Sequence, residues 1–155
     1  MVAESAAREP RWLSDVEQRA WRAWIDSSRR IAATVERQLK DDHDLGADDY
    51  EVLVRLSEAP ERRIRMSELA ASVTNSPSRL SQRIDRMASR GLVSRDRCEE
   101  DGRVWWAVLT DEGFAALEAA APGHVEEVRR RFIDRLSADD LDALAAILPK
   151  LVPED

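Results

Sequence analysis

The chain has 155 residues, of which 43% are hydrophobic and 35% are charged, and its formal net charge is −7. This length favours one domain with extensions, and the hydrophobic content is enough for a core. No apolar run approaches the roughly 18 residues that a membrane span requires. The single cysteine, Cys98, excludes a disulfide framework within the chain, so we expect a cytoplasmic protein.

The charge is unevenly distributed along the chain. Residues 62–103 contain ten arginines, no lysine and six acidic residues, a local balance of +4, whereas the remainder carries −11. Because binding to phosphate depends largely on Lys and Arg, the net charge alone argues against a nucleic-acid partner. A basic middle between acidic ends is instead what we expect if only the middle contacts DNA.

The first predicted element is a long helix over residues 14–40. Ser14 and Glu17 have the spacing of a capping box, and apolar residues recur at helical spacing as far as Leu39. This apolar stripe is long for a domain with so little else to cover it. We therefore expect it to pack against a second copy of the chain.

The middle of the chain predicts a helix, a short strand, two more helices and a β-hairpin. Their predicted ranges are 48–58, 63–66, 68–73, 77–90, 93–97 and 104–109. Ser67 and Ser76 are expected to cap the third and fourth helices, with Pro77 at a favoured first position and Gly91 closing the fourth. Asp101-Gly102 is a turn signal between the two hairpin strands.

Two more helices are predicted to complete the chain. Thr110 is expected to cap the fifth helix, and Pro122-Gly123 to kink or break it before it continues to Phe132. Ser137 and Asp140 begin the last helix, which carries apolar residues at helical spacing.

This order of elements predicts a mainly α fold with a small β-hairpin wing, that is, a winged helix-turn-helix. We expect residues 46–112 to form the DNA-binding domain. Residues 1–45 are expected to supply an N-terminal dimerisation helix and the start of the core, and residues 113–155 the C-terminal helices.

The fourth helix has one apolar and one polar face. Leu80, Ile84 and Met87 share the face that should be packed. The polar face carries Ser, Gln and Arg, whose side chains can reach base edges in the major groove, and the helix start offers backbone N–H groups to a phosphate. The predicted DNA-contacting residues of this segment are Ser76, Ser78, Arg79, Gln82 and Arg86.

The hairpin tip is the second predicted contact with DNA. One arginine at such a tip, here Arg103, can enter a narrow minor groove, where the negative potential is concentrated. Asp101 is placed to orient the Arg103 guanidinium through a charge-assisted hydrogen bond. The acidic pair Glu99 and Glu100 weakens the purely electrostatic argument.

The central half of the chain resembles the MarR family of bacterial transcription regulators. The resemblance rests on Leu69-Ala70, Gly91-Leu92-Val93 followed by Arg95, Asp101-Gly102-Arg103, and Leu109-Thr110-Asp111-Glu112-Gly113. It implies a homodimer that binds a pseudo-palindromic operator and represses transcription. It further implies that the helices of residues 113–155 take part in dimerisation together with the first helix. It also implies that Asp101 and Arg103 are the wing pair, that residues 76–86 contact the major groove, and that a small ligand, often aromatic and anionic, relieves repression.

Trp24 and Tyr50 are the residues predicted to line such a ligand cleft, although a role in the core or the dimer interface is favoured for both. His43, next to three aspartates at a helix end, suits a solvated helix terminus better than a metal site, and we expect neither a metal nor a cofactor.

The sequence lacks a Gly-rich phosphate loop and a paired-His metal motif, so we do not expect an enzyme. A winged-helix module that binds proteins through its acidic ends, without DNA, stays open at this point.

Overall fold

The computed structural model describes residues 10–73, 76–98, 101 and 103–151. The predicted turn residues Thr74 and Asn75, and the predicted tip residues Glu99, Glu100 and Gly102, lie outside these ranges. In chain order the elements are α1 (Asp15–His43), α2 (Ala47–Glu58), β1 (Arg63–Arg65), α3 (Met66–Ser72), α4 (Pro77–Ser89), β2 (Val93–Arg97), β3 (Trp105–Leu109), α5 (Asp111–Arg131) and α6 (Ala138–Ile147). The predicted order of helices and strands is therefore confirmed, and so is the mainly α fold with a small wing.

Helix α1 begins with the predicted capping box. The Ser14 hydroxyl accepts from the Glu17 backbone N–H, and the Glu17 carboxylate accepts from the Ser14 backbone N–H at 2.8 Å. Leu39 is the one residue of α1 that is buried in the single chain. Trp21 and Trp24, on the predicted apolar stripe, are 58% and 44% exposed. The first half of that stripe is thus exposed in the described part of the chain, whereas Val35 and Leu39 pack in or against the core.

The three strands form one antiparallel sheet in the order β1-β3-β2. Sequence patterns predict the β2–β3 hairpin, whereas the pairing of β1 with β3 joins residues more than 40 positions apart. This third strand covers the edge of β3 that a hairpin alone would leave unpaired. The wing is therefore anchored to the segment that leads into α3.

The hydrophobic core lies between α2, α3, α4 and the sheet, with contributions from the C-terminal end of α1 and from α5. Its largest fully buried side chains are Leu39, Leu45, Val52, Leu53, Leu56, Leu69, Val73, Leu80, Ile84 and Met87. The apolar face of α4 is thus packed as predicted. In contrast, α6 has no buried residue in the single chain.

The end of α4 is joined to the start of α5 by a set of close contacts. Gly91 has φ +75°, a conformation that favours glycine, and its carbonyl accepts from the Thr110 hydroxyl at 2.6 Å. The same hydroxyl accepts from the Gly113 backbone N–H at 2.9 Å and so caps α5. A Cβ atom at Gly113 would lie 1.9 Å from the carbonyl oxygen of Leu92, so the two backbones can meet only with glycine at this position.

Two sequence-based expectations about helix boundaries are wrong. Ser67 does not cap α3, because the helix starts at Met66, two residues earlier than predicted, and Arg65 occupies the cap position without a side-chain hydrogen bond. Of the predicted kink or break at Pro122, the break is wrong, because α5 runs continuously to Arg131. Helix α5 packs along α1, and Gly123 lies directly against Gln38 of that helix, so tertiary packing outweighs the one backbone hydrogen bond that proline removes.

In the described ranges, every helix is too short or too polar to cross a membrane.

We expect Gly113→Ala to lower the free energy of unfolding by about 2–3 kcal/mol, because the added methyl group collides with backbone rather than with a flexible side chain. Gly46→Ala is the matched control, since a Cβ there meets its nearest atom at an ordinary 3.6 Å. Urea unfolding at equal protein concentration measures both. Equal losses in the two variants would contradict the close approach of α5 to Leu92.

Candidate nucleic-acid interface

Helix α4 presents a polar face to solvent. Ser78, Arg79, Gln82 and Arg86 are all exposed, and they lie opposite the buried apolar face. The predicted cap is confirmed, since the Ser76 hydroxyl accepts from the Arg79 backbone N–H at 3.4 Å. The start of a helix carries a partial positive charge, which favours an anion at this end of α4.

The four arginines of α4 and its C-cap fall into two pairs. Arg83 and Arg90 form ion pairs with aspartates at the junction between α1 and α2. Arg79 and Arg86 form no ion pair with any residue in the described ranges, and both are exposed. These two arginines therefore keep their charge available for an external anion.

The wing is attached to α4 through Arg95 of β2. The Arg95 guanidinium donates to the Asp85 carboxylate at 2.7 Å and to the Ser81 hydroxyl at 3.3 Å. Asp85 lies beside the exposed face of α4, as the helical spacing predicts. This contact fixes the first wing strand against the helix, so the two surfaces predicted to bind DNA are held together.

The end of the hairpin is closed by two backbone hydrogen bonds. Cys98 donates to the Val104 carbonyl, and Val104 donates to the Asp101 carbonyl, each at 2.9 Å. The Asp101 carboxylate accepts from the backbone N–H of Arg103 at 3.0 Å. We expected Asp101 to hold the Arg103 guanidinium; in the structure it holds the Arg103 main chain, because a carboxylate two residues before an N–H is well placed to close a turn.

Two tryptophans on β3 each lie under two arginines from a neighbouring strand. The guanidinium groups of Arg63 and Arg65 are 5.0 and 5.3 Å from the Trp106 ring. Those of Arg95 and Arg97 are 5.4 and 5.6 Å from the Trp105 ring. These distances are typical of cation–π contacts, which orient each arginine over an aromatic face.

This arrangement differs from what strand alternation alone suggests. Alternation predicts one inward-facing and one partly exposed tryptophan, but neither Trp105 nor Trp106 belongs to the core. The missed signal is the repeated Arg-x-Arg pattern of the two outer strands, at 63–65 and 95–97, on either side of a Trp-Trp strand. Arginines at alternate strand positions share one face, where the facing rings can receive them.

The two residues predicted to line a ligand cleft lie in different places. Trp24 lines an open, largely apolar groove of about 870 Å³ between α1 and the segment joining α5 to α6. Tyr50 does not line this groove; its ring lies 4.5 Å from that of His124, inside the contact between α2 and α5. Burial raises the pKa of the Tyr50 phenol and lowers the pKa of His124, so both side chains are neutral at pH 7.

The arrangement of α3, α4 and the wing defines the class of protein. A short helix, a turn and a two-faced helix are followed by a wing fixed to that helix, and cationic side chains remain available on the outer face. This is the arrangement of a winged helix-turn-helix, a fold that presents one helix to the major groove of DNA.

Comparisons with known proteins identify the family. A model of the MarR family matches residues 47–105. The solved structure of AbsC, a MarR family transcriptional regulator from Streptomyces coelicolor, is 44% identical over 92% of this chain and 98% of that chain, with a TM-score of 0.85. Sco3205, a MarR family transcriptional regulator from the same organism solved in complex with DNA, is 39% identical over 94% of this chain and 91% of that one, with a TM-score of 0.89.

The chain belongs to the MarR family of DNA-binding transcription regulators. Among curated proteins, the transcriptional repressor YetL of Bacillus subtilis is 29% identical over 66% of this chain. That match spans 60% of the length of YetL. The resemblance seen in the sequence motifs is thus confirmed, and members of this family are regulators rather than enzymes.

We expect Arg95→Gln to loosen the wing without unfolding the protein. The variant removes the ion pair between β2 and Asp85, a partly exposed contact worth about 1 kcal/mol, so β2 amides should exchange with deuterium roughly fivefold faster. Arg129→Gln, which breaks an exposed ion pair between α5 and Asp134, should leave exchange in the wing unchanged. Wing exchange that is the same in both variants would show that Arg95 does not anchor β2.

Proposed function

We propose that this protein is a cytoplasmic transcriptional repressor that binds a pseudo-palindromic operator as a homodimer and is released by a small ligand. The observation that carries the proposal is the exposed face of α4, where Arg79 and Arg86 lie beside Ser78 and Gln82 and form no ion pair with the described residues. The names of two relatives support it: Sco3205 is solved with DNA, and YetL is called a repressor.

Helix α4 is the proposed reader of the major groove. Arginine can donate two hydrogen bonds to guanine, and glutamine can pair in the same way with adenine. Gln82 and Arg86 lie one turn apart on the exposed face, so both can reach neighbouring base pairs. Ser76, Ser78 and Arg79, nearer the helix start, are proposed to grip the phosphate backbone or the adjoining bases.

The wing is proposed to contact the minor groove through Arg103. This residue is exposed, and Asp101 fixes its backbone at the closed end of the hairpin. Because the turn is held by the main chain, the Arg103 guanidinium stays available for the electronegative floor of a narrow groove.

Dimerisation is proposed through α1 (Asp15–His43), α5 (Asp111–Arg131) and α6 (Ala138–Ile147). Large apolar side chains are exposed on the first and last parts of the described chain, and extended apolar patches of this kind mark protein interfaces. They are Trp12, Leu13, Val16, Trp21, Trp24, Ile147 and Leu151. Two copies joined by a two-fold axis would place their α4 helices about one turn of DNA, roughly 34 Å, apart.

A winged-helix module that binds another protein through its acidic ends is the alternative function. It predicts a different response to salt. Binding to several phosphates loses affinity steeply between about 50 and 200 mM salt, because counterions are released from the duplex. A mixed-charge protein contact responds less, so a salt titration of the bound complex discriminates the two functions.

Selection of bound sequences from random duplex DNA tests the repressor proposal directly. We expect two inverted half-sites one helical turn apart, since each copy contributes one α4. Arg103→Ala should then weaken binding to the selected site by about 1–3 kcal/mol in a gel-shift titration.

Arg129→Ala is the control for the loss of one positive charge, because Arg129 lies on α5 and is paired with Asp134. It should leave the operator affinity within twofold of the unchanged protein. An unchanged affinity of Arg103→Ala would remove the wing from the mechanism, and the absence of any selected sequence would refute operator binding.

The groove beside Trp24 is the proposed ligand site. Its lining is mostly apolar and includes Ile31 and Phe132. Of its two arginines, Arg131 is paired with Glu127, which does not line the groove, whereas Arg135 forms no ion pair with the described residues. An apolar cleft with a cationic group in its lining suits a flat aromatic body that carries an anionic group. Tyr50 lies outside this groove, so it would contact the ligand only if the ligand also reached the contact between α2 and α5.

We expect 2-naphthoate to bind this groove more tightly than the neutral 2-naphthamide. In Arg135→Gln the ratio of the two affinities should be at least fivefold smaller. Isothermal titration calorimetry measures both ligands against the same variants. Arg129→Gln, which removes a charge outside the groove lining, should retain the preference. Equal affinities for acid and amide in the unchanged protein would contradict an anionic ligand at this site.

A further inference from the structure

A cluster of five charged residues connects α4 to the junction of α1 and α2. The cluster consists of Arg83 and Arg90 on one side and Asp44, Asp48 and Asp49 on the other. The two arginines are seven residues apart, two helical turns, so they lie on the same edge of α4. That edge lies between the buried face and the face proposed to contact DNA.

Arg83 is the centre of the cluster. Its two terminal nitrogens bind different carboxylates, one donating to Asp49 at 2.9 Å and the other to Asp48. The Arg83 side chain is 16% exposed and that of Asp49 is 19% exposed, so this pair is shielded from water. Arg90 adds a hydrogen bond to the Asp44 carbonyl at 2.7 Å and a longer contact to Asp49.

The aspartates are themselves fixed to α1. Asp44 is the C-cap of α1 in a left-handed conformation, and its pKa is lowered by a hydrogen bond from Lys40 and then by the charges of Lys40 and Arg90. The Glu36 carboxylate of α1 accepts from the Ala47 backbone N–H at 2.6 Å and so holds the first turn of α2. A continuous set of polar contacts therefore runs from α1 through the start of α2 to α4.

These contacts are not required to bury α4. Leu80, Ile84 and Met87 already pack its apolar face, and each is at most 1% exposed. Apolar packing allows a helix to rotate or slide by small amounts, whereas a guanidinium that binds two carboxylates requires a defined direction. Shielded ion pairs also gain little net stability, because desolvation offsets much of their attraction. The cluster is therefore better suited to orient α4 than to stabilise the fold.

We propose that Arg83 and Asp49, supported by Arg90, Asp44 and Asp48, are positioning residues that set the angle between α4 and α1. This inference rests on the proposed dimeric operator binding, in which α1 belongs to the interface between the copies. In such a dimer the angle determines how far apart the two α4 helices lie. The cluster thus determines which spacing between operator half-sites the protein accepts.

The test compares one selected operator with two derivatives in which one base pair is inserted or deleted between the half-sites. We expect the unchanged protein to bind the derivatives at least tenfold more weakly. Arg83→Lys keeps the charge but loses the two-pronged geometry, and Asp49→Asn loses one charge at nearly constant volume. Both should reduce the spacing penalty to about threefold while weakening binding to the original operator.

Glu51→Gln is the matched control, because it breaks an ion pair with Arg55 that lies within α2 and joins no two elements. Its spacing penalty should equal that of the unchanged protein. Far-UV circular dichroism and thermal unfolding check that each variant is folded. Should the two cluster variants not fold, Asp48→Asn removes only the more exposed of the two Arg83 partners and carries the same expectation.

The outcomes separate this inference from the function on which it rests. If the unchanged protein binds no selected duplex, operator binding itself is refuted. If it binds and discriminates between the spacings, but the cluster variants keep the full spacing penalty, the positioning role is refuted. A variant that loses affinity for all three duplexes by the same factor has kept that penalty. Equal binding of the unchanged protein to all three duplexes refutes it too.

Discussion

The contact on which the rest of the structure depends is the close approach of two backbones, where the carbonyl of Leu92 lies against the Cα of Gly113. The Thr110 hydroxyl bridges the same point by bonding to Gly91 on one side and Gly113 on the other. The end of the predicted reading helix and the start of α5 are thereby held in one rigid joint. A displacement at the start of α5 would therefore act directly on the end of α4 and on the start of β2.

Electrostatics within α4 divide its arginines between two tasks. The sequence balance of +4 over residues 62–103 overstates the charge that is available to a partner, because Arg83 and Arg90 are paired with aspartates that lie outside this range. What remains on the outer face of the helix is a small number of exposed guanidinium groups. Affinity for DNA then depends on where these groups lie more than on how many there are, which makes the orientation of α4 as important as its composition.

The features that sequence predicted correctly are local. Helical spacing identified the buried face of α4, and side chains three residues apart identified the caps at Ser14 and Ser137. The cap at Ser76 was identified by Pro77 at the first helical position. The predicted break of α5 at Pro122 is wrong because the helix packs on α1. This contact between distant segments cannot be read from the residues around Pro122.

The features that sequence missed are contacts between distant parts of the chain. Arg83 and its aspartate partners are 34 and 35 positions apart, and nothing in their spacing marks them as neighbours. The paired arginines over Trp105 and Trp106 likewise depend on the register of three strands. The placement of charge on the surface therefore follows from tertiary packing, which a motif does not encode.

The separation of charge along the chain has a consequence for how the protein meets a duplex. The charge balance is +4 over residues 62–103, which include α4 and the wing, and −11 over the remainder of the chain. A molecule with this distribution is an electric dipole, and in the field of a polyanion it experiences a torque as well as an attraction. We therefore expect the molecule to rotate α4 and the wing toward a duplex before any hydrogen bond has formed.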